Sequence, residues 1–425
     1  MALKEQFEIP GGLKKWSYAL MGVGVLTLIL GVIFLHPFSG GHGEEHGAEA
    51  YGATKFWMAL MQNSIYWLLV VVASFFFVSA TTLAQAGFPL VFRRVPEAIS
   101  GGLNVLGPIT VVILLAYVWI SDDHHIYHWK DAAHLDEKLK AKSGFLNPVF
   151  YTVLSIGAVG LWIWFRNWYR KNSLAEDLAG QGDRSFYWKS LKISAAFLVT
   201  YGLTVLSTLP WMWLMSIDAH WFSTMYSWYT FASSWVAGLS LIMLFVVYLK
   251  NHGYLEFVNE EHIHDIGKFM FAFSIFWTYL WFSQFMLIWY SNQPEETEYF
   301  INRLGFGGKG DGPFRAMFLL NLIINFLAPL LILMRRGSKR NYTVVTLMSV
   351  IIIFGHWLDF YQMVTPGPLK ELGKDSNPIS HFVYSLGVSA GFLGLVIYLT
   401  AKHLTKAPLL PKNHPLVKES IIHHT

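Results

Sequence analysis

Polar and apolar positions alternate along this chain on a long scale. Ten runs of mainly apolar residues, at roughly 16–35, 64–86, 99–120, 147–168, 193–216, 222–249, 269–290, 316–334, 342–364 and 379–401, are separated by shorter polar stretches. Each holds about 20 residues, enough to cross the bilayer core as a helix. Transmembrane strands are shorter and alternate in polarity, so the pattern predicts an all-α integral membrane protein and excludes a barrel. The connections are too short for a separate soluble domain, so residues 1–425 read as one polytopic membrane domain. The longest connection, near 36–63, is expected to include a helix lying along the surface. The first run has a long polar leader and no small-residue cleavage site after it, so it is expected to be retained. His36-Pro37-Phe38-Ser39-Gly40-Gly41 reads as the turn that follows it.

Composition agrees with this class. Hydrophobic residues make up 54% of the chain and charged residues 14%, with a mean hydropathy of +0.40. Most of the 31 Lys and Arg residues fall on the side of the spans that carries both termini, with the sharpest cluster at Arg335-Arg336-Gly337-Ser338-Lys339-Arg340. The other side is acidic, as at Glu44-Glu45 and Glu295-Glu296. This asymmetry predicts both termini in the cytoplasm. The net charge of +4 therefore reflects topology and contact with membrane lipids, not nucleic acid. The 33 Phe, 20 Tyr and 18 Trp include an interfacial belt, as at Trp162-Ile163-Trp164-Phe165-Arg166-Asn167-Trp168-Tyr169. Gly387 and Gly391, with Gly394 nearby, form a small-residue face for close helix packing.

Candidate chemistry begins with charge in the spans. On these boundaries only Arg166 and Asp359 are charged residues inside a span, and Arg166 sits at a span end. An ionisable group in hydrocarbon marks a water or proton path or pairs with a partner. His356, Asp359 and Gln362 recur at i, i+3, i+6 and share a helix face. Counted from residue 342, His356 lies roughly 21 Å deep and Asp359 roughly 25 Å. The pair fits proton exchange, the reading favoured because ionisable groups inside a membrane are functional by default; the alternative is a satisfied polar contact that pins the ninth helix to a neighbour. Asp218 and His220, in a short turn between the fifth and sixth runs, and His381, at the start of the tenth, are placed at similar depth. Asp218 also fits the N-cap of the sixth helix, and His381 an interfacial histidine. Pro210 is expected to kink the fifth span. Together Asp218, His220, His356, Asp359 and His381 are the candidates for proton transfer. On the side of the termini, Glu260, Glu261, His262, His264 and Asp265 form a candidate proton-collecting loop. Asn104, Tyr201, Thr204, Thr82 and Gln85 fit hydrogen bonding between helices better than a chain of waters.

Other patterns carry less. The chain has no cysteine, which excludes disulfides, iron–sulfur clusters and covalently attached haem c on its own residues. His356 and His381 are the one pair spaced for axial haem ligation, but their depths differ and Asp359 stands beside them, so no bound metal is expected. His124 and His128 have an i, i+4 zinc spacing, with His134 nearby, in a loop that offers no clear third and fourth ligand. Gly305-Phe306-Gly307-Gly308-Lys309-Gly310 matches a dinucleotide fingerprint by letter but lacks the strand and helix that give it meaning.

Two stretches carry a family resemblance. Tyr279-Leu280-Trp281-Phe282-Ser283-Gln284-Phe285-Met286-Leu287-Ile288-Trp289-Tyr290, running on through Thr297, and Ser216-Ile217-Asp218-Ala219-His220-Trp221-Phe222-Ser223-Thr224-Met225 resemble the polysulfide-reductase membrane-subunit (NrfD-like) family. The likeness extends over nearly the whole chain and is nearest to the second (ActF-like) such subunit of bacterial alternative complex III, a quinol:cytochrome c oxidoreductase. It implies two four-helix bundles, spans two to five and six to nine, flanked by spans one and ten. It also implies partners: a homologous sister membrane subunit, iron–sulfur and multihaem cytochrome c subunits, and a terminal oxidase as a further candidate. Iron–sulfur clusters and haem c would then belong to those partners, in a bacterial inner membrane. The sister subunit looks the better site for quinol oxidation, and this chain the companion for which proton conduction is proposed. Two alternatives stay open at this stage: a site for quinol or menaquinol in this chain, built on Asp218 and His220, and an independent secondary transporter. No convincing repeat of broken helices supports the transporter.

Overall fold

The computed structural model describes residues 6–38, 48–130, 135–179, 182–305, 314–371 and 378–424. His134, Phe306–Gly310 and Glu44-Glu45 lie outside them, as do residues 39–41 of the proposed turn. Among the described residues all regular structure is helical. Ten helices are long and apolar enough to span a membrane: Gly11–Leu35, Gly52–Leu83, Arg94–Trp119, Pro148–Leu178, Ser185–Trp213, Met225–Asn251, Glu260–Ser291, Arg315–Leu333, Tyr342–Val364 and Ile379–Leu404, here spans one to ten. The protein is an all-α, multi-pass membrane protein.

Both chain ends lie at one face. Gln6 donates from Nε2 to the Thr405 carbonyl at 2.9 Å. This is the terminal face; the other is the opposite face. Spans two, three, four and five close one ring of contacts, and spans six, seven, eight and nine close a second. Span six also packs on span two and joins the rings. Span one is peripheral, with Trp16 and Phe34 more than 70% exposed on its outer side. It lies along span ten, where Gly24 and Gly391 bring the backbones together: a Cβ on Gly24 would stand 2.4 Å from the Gly391 Cα. Gly387 and Gly394 meet Thr27 and Ser17 in the same seam, so the small-residue face packs within the chain.

The C-terminal segment crosses the terminal face under both rings. Lys412 N donates to Asp177 Oδ1 at 3.1 Å. His414 is buried with its ring edge-on to Tyr187. Val91 N donates to Ser420 Oγ at 3.1 Å, and His423 Nε2 lies 2.7 Å from Asp265 Oδ2.

Three expectations change. Residues 52–63 belong to span two rather than to a surface helix. Gln62, Asn63 and Ser64 interrupt the apolar run in sequence, but inside the protein they are bonded. Trp357 Nε1 donates to Asn63 Oδ1 at 2.7 Å, and Ser385 Oγ to Gln62 Oε1 at 2.7 Å. Span three begins at Arg94, which places Glu97 inside a span. Glu97 is buried among Arg93 (3.0 Å), Arg94 (2.8 Å) and Arg170, so its charge is compensated. Finally, Glu260–Asp265 is not a loop but the first turns of span seven. Asn259 caps it in a capping box with His262, and Glu260 and Glu261 in the first turn suit the positive end of the helix dipole.

Candidate functional site

Spans five and eight each carry a π turn one residue ahead of a proline: Thr204–Thr208 before Pro210, and Ile323–Leu327 before Pro329, with Leu209 and Ala328 between. Proline has no N–H to continue the ladder, and the wider turn absorbs the mismatch. In span eight the π turn carries Asn325, buried one turn beyond the buried Asn321. Asn325 Nδ2 donates to Asn321 Oδ1 at 2.6 Å.

Asn321 in turn serves Asp359. Its Nδ2 donates to Asp359 Oδ1 at 2.7 Å. The Tyr229 hydroxyl donates to the same oxygen, and Trp277 Nε1 donates to Oδ2 at 2.9 Å. Asp359 is fully buried. Neutral donors from spans six, seven and eight therefore hold one carboxylate of span nine. No cation in the described set pairs with it. Hydrogen bonds of this kind sustain a buried charge without neutralising it, and leave the group free to change protonation.

His356 sits one turn away on the same face, fully buried. Its Nδ1 lies 3.1 Å from Ser233 Oγ, and the Trp277 ring meets it edge-on at 5.6 Å. Its Nε2 has no hydrogen-bond partner among the described residues. His356 and Asp359 share Trp277 as a neighbour but have no direct hydrogen bond. Gly355 leaves the space that Asn325 fills, since a Cβ there would fall 2.2 Å from Asn325 Oδ1.

The other sequence candidates separate. His381 is buried, with Nδ1 3.2 Å from Tyr361 Oη. Tyr361 is two residues from Asp359, roughly 200° around the helix, so it faces span ten, and its partner His381 lies on the side of span nine away from Asp359. His220 is nearly half exposed, 3.4 Å from Asp136. Asp218 ends a short 3-10 turn, Met215–Asp218, and does not cap span six, which Thr224 precedes. Asp218 instead pairs with Arg303 at 3.4 Å. On the terminal face, Glu261 pairs with Arg340 at 2.5 Å and lies 3.9 Å from His264, while Asp265 pairs with Lys268 at 2.6 Å. His262 is structural: Nε2 contacts the Ser420 carbonyl at 3.0 Å. His124 and His128 are not on a common helix, so their spacing does not bring them together as a zinc pair. Thr82, Asn104 and Thr204 bond to Tyr169, Asn167 and Trp162 respectively, as interhelical contacts.

Sequence reading missed Tyr229, Trp277, Asn321 and Arg303. The Asn321/Asn325 pair, four apart in an apolar run, is the signal that was there to find. A larger cavity of about 540 Å³ opens between spans six, nine and ten. It is apolar, and Tyr248 is the one ionisable side chain among its lining residues. A quinol in it would meet no ready proton acceptor. Fold and site thus define a polytopic helical membrane protein built around a buried carboxylate. No protein-family model matches the chain, and no curated protein matches it.

Proposed function

We propose that the chain is an integral membrane subunit of a multisubunit respiratory quinol:electron-acceptor oxidoreductase of the alternative complex III type, and that it scaffolds the complex and transfers protons. The observation that carries the proton role is Asp359, buried and held by Tyr229, Trp277 and Asn321 without a cation. An intramembrane carboxylate with such a shell suits reversible protonation. The sequence motifs around Ser216–Met225 and Tyr279–Thr297 support the family reading. The basic terminal face supports cytoplasmic termini in a bacterial inner membrane. On this reading haem c and iron–sulfur clusters belong to partner subunits, a sister membrane subunit oxidises quinol, and this chain holds no redox metal.

The test is Asp359→Asn in the assembled, reconstituted complex. The amide keeps the shape and removes the titratable proton. Turnover-coupled proton transfer should be lost, or turnover should slow by about 10²-fold or more with a changed pH profile. An assembled variant with normal turnover, pH profile and proton yield would remove the proton role.

A further inference from the structure

Arg303 lies between Asp359 and the opposite face. It belongs to the short helix Pro294–Leu304 and is 1% exposed. Its Nε donates to the Gln362 carbonyl at 3.0 Å and its Nη1 to the Tyr299 carbonyl at 2.8 Å. Its Nη2 reaches Asp218 Oδ2 and the Met363 carbonyl, both at 3.4 Å. The guanidinium also lies over the Tyr299 ring, 3.4 Å from its centre. Behind this plug is a cavity of about 10 Å³ lined by Tyr229, Gln284, Tyr299, Arg303, Asn321 and Gln362 among others. Tyr229 and Asn321 both donate to Asp359. Gln362 is 3% exposed, and neither its Oε1 nor its Nε2 has a hydrogen-bond partner among the described residues. The cavity matches one water, and the Gln362 amide offers it both an acceptor and a donor.

We propose that Arg303 and Asp218 form a proton gate over Asp359, with one water on the Gln362 amide as the relay. The inference rests on the reading that Asp359 exchanges protons, and adds how that exchange is controlled. Outward transfer breaks the Asp359 carboxyl O–H and passes its proton to the Tyr229 oxygen, as the Tyr229 hydroxyl proton passes to the water. When Asp218, 17% exposed, takes a proton from the opposite face, it no longer holds Nη2, and the relay water gives one of its own protons to solvent at that face. In sum one proton leaves, Asp359 is left ionised, and Tyr229 and the relay water are restored. The Arg303 charge then acts on the newly ionised Asp359, which opposes the proton's return. Uptake runs the same steps in reverse.

The test uses the full chain in lipid and time-resolved infrared spectroscopy after a drop in pH. The Asp359 carboxyl band is assigned by its loss in Asp359→Asn. Gln362→Met keeps side-chain length and removes the relay's two polar atoms; conversion of carboxylate to carboxyl should slow by about tenfold or more. Asp218→Asn keeps shape and removes the charge that locks Arg303; conversion should speed up by about the same factor. A wild-type rate in either variant overturns the gate. The proton yield of the Asp359→Asn complex is a separate readout. A normal yield removes the underlying reading, whereas a lost yield with wild-type rates in both gate variants removes the gate alone.

Discussion

Gly355 and Asn325 divide one space between two helices. Gly355 precedes His356 on span nine, and Asn325 sits in the π turn of span eight; a Cβ on the first would overlap the amide oxygen of the second. The missing side chain lets Asn325 reach Asn321, which holds Asp359.

Gly355→Ala should therefore push Asn325 and Ile324 aside and destabilise the fold by about 1–3 kcal/mol. Thermal unfolding in detergent reads this. Gly157→Ala is the control: nothing lies within 4 Å of a Cβ there, and it should leave the melting temperature unchanged or higher. Equal behaviour of the two variants would mean that the Gly355 contact has slack.

Glu97 is a buried carboxylate of the first ring, and its role is opposite in kind. It neutralises Arg93, Arg94 and Arg170 while buried. Glu97→Gln removes the carboxylate shared by Arg93, Arg94 and Arg170, of which Arg94 alone keeps a second ion-pair partner among the described residues, Asp177, and should cost about 3–5 kcal/mol. The expected outcome is a large loss of folded protein on size-exclusion chromatography, in contrast to Asp359→Asn, which should assemble.

The span one–span ten seam depends on backbone approach at Gly24 and Gly391. Gly391→Leu should part the two helices while leaving both rings folded. Cysteines introduced at positions 18 and 398, whose tyrosine rings lie 5.4 Å apart across the seam, should be joined by a short bifunctional thiol reagent in the parent chain, which has no cysteine of its own, and fail to be joined in the variant.

These contrasts show what was legible in the sequence. Ten spans were, because apolar run length is a strong signal. The shared face of His356 and Asp359 was, because helix periodicity fixes it. Glu97 was not, because hydropathy ends a span where charges begin, and only the three arginines around it let the helix continue. Tyr229 and Trp277 were not, because an aromatic in a span is most often packing or belt, and its hydrogen bond depends on which helix it meets. The proposed grouping of His381 with Asp359 treated depth as nearness; depth says nothing of which way a side chain faces, and Tyr361 points the other way.

His414 gives the terminal face a pH dependence. Burial lowers its imidazole to about 3, and Arg93 pushes in the same direction, whereas Glu97 opposes them. Its Nδ1 accepts from Leu416 N at 3.3 Å, which requires the neutral ring. The unfolded chain binds the proton near pH 6.5, and the docked ring does not until far lower. The stability His414 contributes is therefore complete above about pH 6.5 and falls as pH drops toward 3. Limited proteolysis should cut the C-terminal segment faster at pH 5 than at pH 7.5. His414→Phe should flatten that difference; an unaltered pH response in the variant would assign it to another group.

That same segment also sets an order of events. Lys412 reaches Asp177 in the first ring, and His423 reaches Asp265 in the second. Synthesis runs from the N-terminus, so every span has left the ribosome before the residues that bridge the two rings. The terminal face is thus sealed after the spans, and the two halves of the molecule are clasped only once all ten have been made.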